Sequence, residues 1–148
     1  MSTRSCIASF DPETGTARSI YCHFDGYPDG VGAMLVNHYA TPDLIDALMD
    51  LGDISSLNER LAPAPGEKHS FDNRVPGITV AYGRDRGETG TEAREWKQLF
   101  SIGDLAKKLI EYYDDSEFVY IHDGSTWYVI PIWGGKRLHK VTEVLEAE

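Results

Sequence analysis

The sequence predicts an α+β fold: a mostly antiparallel sheet built from two terminal hairpins plus a central strand, with helices packed on one face. Three observations predict it. Strand-like stretches flank strong turn chemistry near both ends of the chain, around residues 11–15 and at Asp123 and Gly124. Between them, capping residues and three-to-four-residue apolar spacing mark helices. The length of 148 residues suits one domain, 1–148, with a core of its own.

The first hairpin joins strands at 5–10 and 17–25 through Asp11, Pro12, Glu13, Thr14 and Gly15. Period-two alternation puts Cys6, Ala8 and Phe10 on one face, and Ile20, Cys22 and Phe24 on one face of the second strand. If those faces coincide, Cys6 pairs with Cys22, both as small buried apolar groups. Tyr21, His23 and Asp25 then form a polar row on the reverse.

The corner Gly26, Tyr27, Pro28, Asp29, Gly30 ends the strand, and Asp29 is the expected N-cap of a helix carrying Ala33, Met34, Val36 and Tyr39. Gly30 and Gly32 weaken a helix, which predicts close backbone contact there, with the sheet as the nearest candidate. Thr41 caps a second helix with Pro42 at its first position, running to about Leu51 and stopping at Gly52. Leu44, Ile45, Leu48, Met49 and Leu51 supply its buried side. Asp43, Asp46, Asp50 and Asp53 recur at steps of three, four and three, so they predict one exposed acidic stripe.

Residues 53–72 read as a loop punctuated by Pro63, Pro65 and Gly66 and holding His69 and Asp72. A strand at 77–82 leads into the charged turn GRDRGE, where Arg84 and Arg86 can present guanidinium groups to a phosphate or carboxylate. The plainer reading is mutual neutralisation of alternating Arg and Asp. Residues 91–100 have helical spacing, with Trp96, Leu99 and Phe100 as buried positions. Ser101 and Asp104 have the form of a capping box for a further helix using Leu105, Leu109 and Tyr112 or Tyr113. Strands at 118–122 and 126–133 form the last hairpin. From Lys136, Leu138, Val141 and Leu145 give a weak helical pattern.

The formal charge of −10 opposes direct binding to nucleic acid or anionic lipid and favours basic partners, although acidity also simply keeps small proteins soluble. No apolar run approaches the ~20 residues of a membrane span, and the N-terminus lacks a signal-peptide core. A cytoplasmic protein with reduced thiols follows; two cysteines support no disulfide framework.

Three chemistries are conceivable. His23 and Asp25 with His38, His69 and Asp72 would supply nitrogen and oxygen ligands for a metal, but their spacing matches no established signature. Cys22 and His23, adjacent on a strand, face opposite ways and cannot form a catalytic pair. Tyr120, Trp127, Tyr128 and Trp133 can stack a nucleotide ring, although core packing is the commoner fate of such residues. No cofactor or metal is expected, and binding is favoured over catalysis.

The segments RSCIASF, IYCHFDGYPDGVG, LVNHY, LGDISSL, HSFDN and AYGRDRGE together resemble a widespread group of small bacteriophage and prophage proteins. The resemblance covers most of the chain to about Glu95 and the late WYV strand; YCHFDGYP and GRDRGE carry it most specifically. Relatives often read CHWDGYP where this chain has Phe24, a conservative change. The group has no established activity, so the resemblance implies a bacterial host setting rather than a mechanism.

In that setting the expected function is a non-enzymatic inhibitor or modulator of a host nucleic-acid-binding defence complex, of anti-CRISPR or another anti-defence type. Its partner would be a host protein or nucleoprotein complex. Contact residues would be Asp43, Asp46, Asp50 and Asp53, or Glu111, Asp114, Asp115 and Glu117. The alternative is a small nucleotide- or metal-binding protein or hydrolase using His23, Asp25, Tyr27, His38, His69, Asp72, Arg84 and Arg86.

Overall fold

The computed structural model describes residues 2–132 and 137–147. Trp133 and the start of the tail at Lys136 lie outside the described residues. Among the described residues the sheet has eight strands: β1 Ser5–Asp11, β2 Thr16–Cys22, β3 Ile54–Ser56, β4 Val80–Ala81, β5 Arg94–Trp96, β6 Phe118–His122, β7 Trp127–Pro131 and β8 His139–Lys140. Their order is β4-β3-β2-β1-β6-β7-β8, and β5 pairs with a separate stretch of β2. The helices are α1 Ala33–His38, α2 Pro42–Leu51, α3 Tyr82–Arg86, α4 Ile102–Tyr112 and α5 Val141–Glu146. The fold is α+β with a mostly antiparallel sheet.

Both expected hairpins form. They are joined in the middle by parallel pairing of β1 with β6, Ser5 opposite Phe118 through Ser9 opposite His122. The expected central strand at 77–82 shrinks to Val80–Ala81 and lies at the sheet edge, paired with β3.

The register of the first hairpin differs from the one that would place Cys6 opposite Cys22. Asp11 faces Thr16 across a four-residue turn, so Ile7 faces Ile20 and Cys6 faces Tyr21. A shift of one residue moves every side chain to the other face. Cys22 therefore joins Ile7, Ile20, Leu35, Leu48 and Val129 in one core. Cys6 joins Ala8, Phe10, Leu105, Leu109 and Ile121 in the other.

Two cores mean that helices cover both faces of the sheet, not one. Leu35 of α1, Ile45 and Leu48 of α2 and Val141 of α5 pack on the first face. Leu105, Ala106 and Leu109 of α4 pack on the second. The cause is in the central strands: Ser5, Cys6, Ile7 and Ala8 are buried in succession, as are Val119 to His122. A strand buried on both faces needs a cover on each.

The Gly-Tyr-Pro corner folds back on itself. Pro28–Gly32 is a π-helical turn entered from Tyr27, so Asp29 sits inside the turn and is not its N-cap. Gly30 is required because a Cβ there would lie 2.3 Å from the Asp25 carbonyl oxygen of the corner's own backbone. Gly32 meets the sheet as expected, a Cβ there lying 3.3 Å from the Tyr120 ring of β6. The caps expected for α2 hold, with Thr41 Oγ1 accepting from Leu44 N–H at 3.4 Å and Gly52 ending the helix at φ 76°. Leu44, expected on the buried side, is exposed instead, and Ile45, Leu48 and Met49 carry the core contact.

Residues 94–96 are a strand where a helix was expected. The apolar spacing fits both periods, and tertiary partners select the extended one. Arg94 and Trp96 lie opposite Ser19 and Ala17 on β2, and Trp96 Nε1–H donates to Ser19 Oγ at 2.9 Å. Phe100, expected in the core, is fully exposed, and of the two tyrosines closing α4 only Tyr113 is buried.

Truncating Leu109, which is completely buried, to Ala should cost about 2–5 kcal/mol in urea unfolding. The same change at half-exposed Leu44, on the solvent side of α2, should stay within about 0.5 kcal/mol.

Candidate functional site

The structure divides the expected His/Asp/Arg corner into separate places. Asp25 adopts φ 58°, in the left-handed region, and its carboxylate accepts from Tyr27 Oη at 3.3 Å. Asp25, Tyr27, Asp29, Asn37 and exposed His38 line a shallow cavity of about 230 Å³ between the corner and α1. His23 is not among them: its Nδ1 lies 2.8 Å from Tyr21 Oη, and its ring packs edge-on against Phe24 at 4.6 Å.

His69, Asp72, Arg84 and Arg86 fall together in a second place, organised by Asp85. Residues 57–79 have little regular structure, and a buried carboxylate ties them down. Asp85 Oδ2 accepts from Ala81 N–H at 2.8 Å and from His69 Nε2–H at 3.1 Å, while Oδ1 accepts from Arg84 Nε at 2.8 Å. Arg84 also donates to the Thr79 carbonyl at 2.7 Å and to the Leu61 carbonyl. Arg84 is therefore spent on the protein itself, contrary to the expectation that it faces a ligand beside Arg86.

His69 is spent too. Val75 N–H donates to its Nδ1 at 3.0 Å, which leaves the ring proton on Nε2, where Asp85 accepts it. Its side chain has no exposed surface. With both nitrogens engaged, His69 positions the loop and offers no free lone pair to a metal. Burial pushes the Asp85 carboxyl up, but the Arg84, Ala81 and His69 hydrogen bonds outweigh it and hold it below the usual carboxylate range.

What remains open in this place is the rim. Ser70, Phe71, Asp72, Asp85 and Arg86 line a cavity of about 400 Å³. The guanidiniums of Arg74 and Arg86 lie 4.6 and 4.9 Å from the centre of the Phe71 ring. Among the described residues, no hydrogen bond, ion pair or ring contact links this group to His23, Asp25, Tyr27 or His38. Nor do three His, Cys, Asp or Glu side chains converge to hold a metal ion.

The acidic surfaces also sort differently from expectation. On α2, Asp50 accepts from Arg18 at 2.7 Å and Asp46 lies 3.6 Å from the same guanidinium, leaving Asp43 unneutralised. Asp53 is not on this stripe. The turn at Gly52 carries it inward, where its carboxylate accepts from Tyr21 N–H at 2.9 Å and from Arg94. In the other acidic segment, Asp115 pairs with Arg4 at 3.1 Å and Glu117 is half-buried, while Glu111 and Asp114 are exposed and form no ion pair among the described residues.

Beside Glu111 and Asp114 stands a feature that sequence reading left in the core. Tyr112 is 49% exposed and meets Trp96 edge-on, ring centres 5.5 Å apart at 82°. Arg94 braces Tyr112 from below through Nε–H to Oη at 3.2 Å. The only sequence signal for this was the period-two placement of Arg94 and Trp96. Both thiols are fully buried, and that burial pushes Cys22 up to about 12 and raises Cys6 as well, which disfavours the thiolate form.

No family model, curated protein or solved structure matches this chain. Among the described residues no helix is long and apolar enough to cross a membrane.

Asp85→Asn should destabilise the fold by about 3 kcal/mol, because Arg84 loses its charge partner in a part-buried site. Since Asp85 titrates below its unfolded value of about 3.9, its contribution is complete above that pH and lost as acidification passes through the folded value. Urea midpoints measured below about pH 4 should fall for the parent and fall less steeply for Asp85→Asn. Long-range nitrogen–proton NMR should place the His69 proton on Nε2.

Proposed function

We propose that this protein acts by binding, as a non-enzymatic modulator of a host protein or nucleoprotein complex that itself handles nucleic acid, in the anti-defence manner that includes anti-CRISPR proteins. The setting is the cytoplasm of a bacterial host, a reading supported by the resemblance of segments such as YCHFDGYP and GRDRGE to those of phage and prophage proteins. The observation that carries the reading is the Tyr112 surface: an exposed, braced aromatic ring beside Trp96, close in sequence to the exposed carboxylates Glu111 and Asp114. Aromatic anchors ringed by charge are the anatomy of an interface hot spot. A net charge of −10 steers such a surface toward basic partners. Basic partners of this kind are those whose own surfaces receive phosphate. The α2 stripe is the weaker contact, since Arg18 already neutralises part of it.

A second reading has its own observation. The Phe71 cavity, with Arg86 and Arg74 against the ring, suits a small phosphate-bearing nucleotide. Titration with ATP followed by NMR should shift Phe71 and Arg86 signals in the parent and not in Arg86→Ala if that reading is right.

The principal test is affinity capture from host lysate at two salt concentrations. A partner retained by the parent should be lost in Asp114→Lys with Tyr112→Ala, and the association rate should drop about tenfold with the charge change alone. Retention undiminished by both changes would remove this surface from the account.

A further inference from the structure

We propose that the cavity at the carboxyl ends of β1 and β6 binds one uncharged sugar ring, presented either as a free monosaccharide or as the ribose of a nucleoside. It lies on the α2 side of the sheet, the opposite face from α4, and does not depend on the Tyr112 surface.

The register of the strands produces the site. β1 and β6 run parallel, so Ser9 stands beside His122, the last residue of β6. Ser9 also faces Arg18 of β2, and Arg18 faces Glu95 of β5. Four polar side chains thus form one row across the sheet. Alternation puts this row on the same face as the next row inward, Tyr120, Ile7 and Ile20, which is core. An apolar face that turns polar while still flanked by α2 leaves a crevice. The carboxyl ends of adjacent parallel strands are where open sheets make room for ligands.

Ser9, Asp11, Asp46 and His122 bring polar groups to this cavity of about 220 Å³, and Pro12, Pro42 and Ile45 give it apolar walls. His122 is only 4% exposed. Gly124 N–H donates to its Nδ1 at 3.1 Å, which leaves the ring proton on Nε2. Burial holds the imidazole below its ordinary pKa, with Asp123 opposing, so the ring is neutral at pH 7. Among the described residues Nε2 has no hydrogen-bond partner. Nor is it one of the sealed-off, unpaired polar atoms there, which are the Ser5, Ser55 and Ser116 hydroxyls. It therefore opens to the cavity as an unused donor. The Ser9 hydroxyl is likewise unpaired among the described residues. Asp11 uses Oδ1 for Glu13 N–H, and Asp46 turns Oδ1 toward Arg18 at 3.6 Å, leaving Oδ2 of each without a hydrogen bond.

These groups define the ligand's chemistry. Asp11, Asp46 and His122 do not converge as the ligands of one metal ion would, so what joins them spans several atoms. Two carboxylates repel a phosphate or a second carboxylate. They accept hydrogen bonds, Nε2–H donates one and Ser9 does both; a hydroxyl answers both needs with a single atom. Neighbouring hydroxyls on a saturated ring, its C–H faces against Pro12, Pro42 and Ile45, match the set. The volume is below the roughly 300–1,000 Å³ of pockets for drug-sized ligands, so one ring fits. A second cavity of about 350 Å³, lined by Arg18, Glu95, Trp96 and Lys97, shares Ser9, Asp11 and Asp46 with the first. A substituent on the ring can leave through it.

The test is proton–nitrogen NMR titration of the purified full chain with D-glucose, D-ribose, adenosine and inorganic phosphate. The expected result is saturable shifts at Ser9, Gly124 and His122 Nε2–H with at least one of the uncharged probes, and none there with phosphate. Binding of a sugar at least as tight as that of adenosine identifies a monosaccharide, and tighter binding of adenosine identifies a nucleoside. His122→Asn keeps an acceptor for Gly124 N–H and removes the Nε2 donor, so it should weaken binding about tenfold. Ser9→Ala, at a half-buried position, should weaken it about threefold with an unchanged thermal melt, and carries the comparison if His122→Asn unfolds. No saturable shift with any uncharged probe overturns the proposal, as does phosphate binding at the same signals or undiminished binding in either folded variant. Adenosine shifts confined to Phe71 and Arg86 would place the nucleoside in the other cavity and overturn it too.

Discussion

The constraint on which the rest of this structure depends is the pairing of Ile7 with Ile20. A four-residue turn sets it, closed by Gly15 at φ 67° with its N–H on the Asp11 carbonyl at 2.9 Å. Because side chains alternate along a strand, this pairing assigns every residue of both strands to a face. It sends Ile7, Ile20 and Cys22 to the side covered by α1, α2 and α5, and Cys6, Ala8 and Phe10 to the side covered by α4. The parallel junction of β1 with β6 extends both assignments into the second hairpin. Two opposed apolar layers, each closed by its own helices, are the consequence.

Polar groups that this arrangement buries are met by partners drawn from far along the chain. Asp53 leaves α2 at Gly52, caps Tyr21 N–H of β2 and receives Arg94 of β5. Ser19, buried on the same face, accepts from Trp96 and bonds Tyr113 Oη at 2.8 Å. Asp85 does the equivalent for residues 57–88 by collecting Ala81, Arg84 and His69. A buried carboxylate is tolerated only when its lone pairs are filled, so each of these sites is also a geometric specification. They consume charges that a one-dimensional reading would place at the surface.

What is left at the surface is correspondingly smaller and more local than the composition implies. Of the acidic residues considered as contacts, Asp46, Asp50, Asp53 and Asp115 have cationic neighbours within the chain. The exposed, unneutralised ones with an aromatic neighbour are gathered at the C-terminal end of α4. Just before the N-terminal end of the same helix stands the exposed Phe100. Both ends of α4 thus present aromatic groups outward while its middle seals the second core.

The α+β class, the two hairpins, the caps at Thr41 and Ser101 and the stop at Gly52 were determined by sequence, because each depends on contacts within a few residues. The clustering of His69, Asp72 and Arg86 was legible in part, since the GRDRGE turn and the HSFD segment announce polar chemistry without saying which groups it consumes. Tertiary structure alone decided the rest. Residues 94–96 became a strand because β2 offered an open edge and Asp53 a counter-charge. Phe100 turned outward because Leu99 took the anchoring contact. The separation of His23 from His69, and of Cys6 from Cys22, followed from register and loop closure, in which residues dozens of positions apart compete for the same face. Local pattern cannot rank such competitors, because the energy that separates them comes from burial against partners that exist only once the chain has folded.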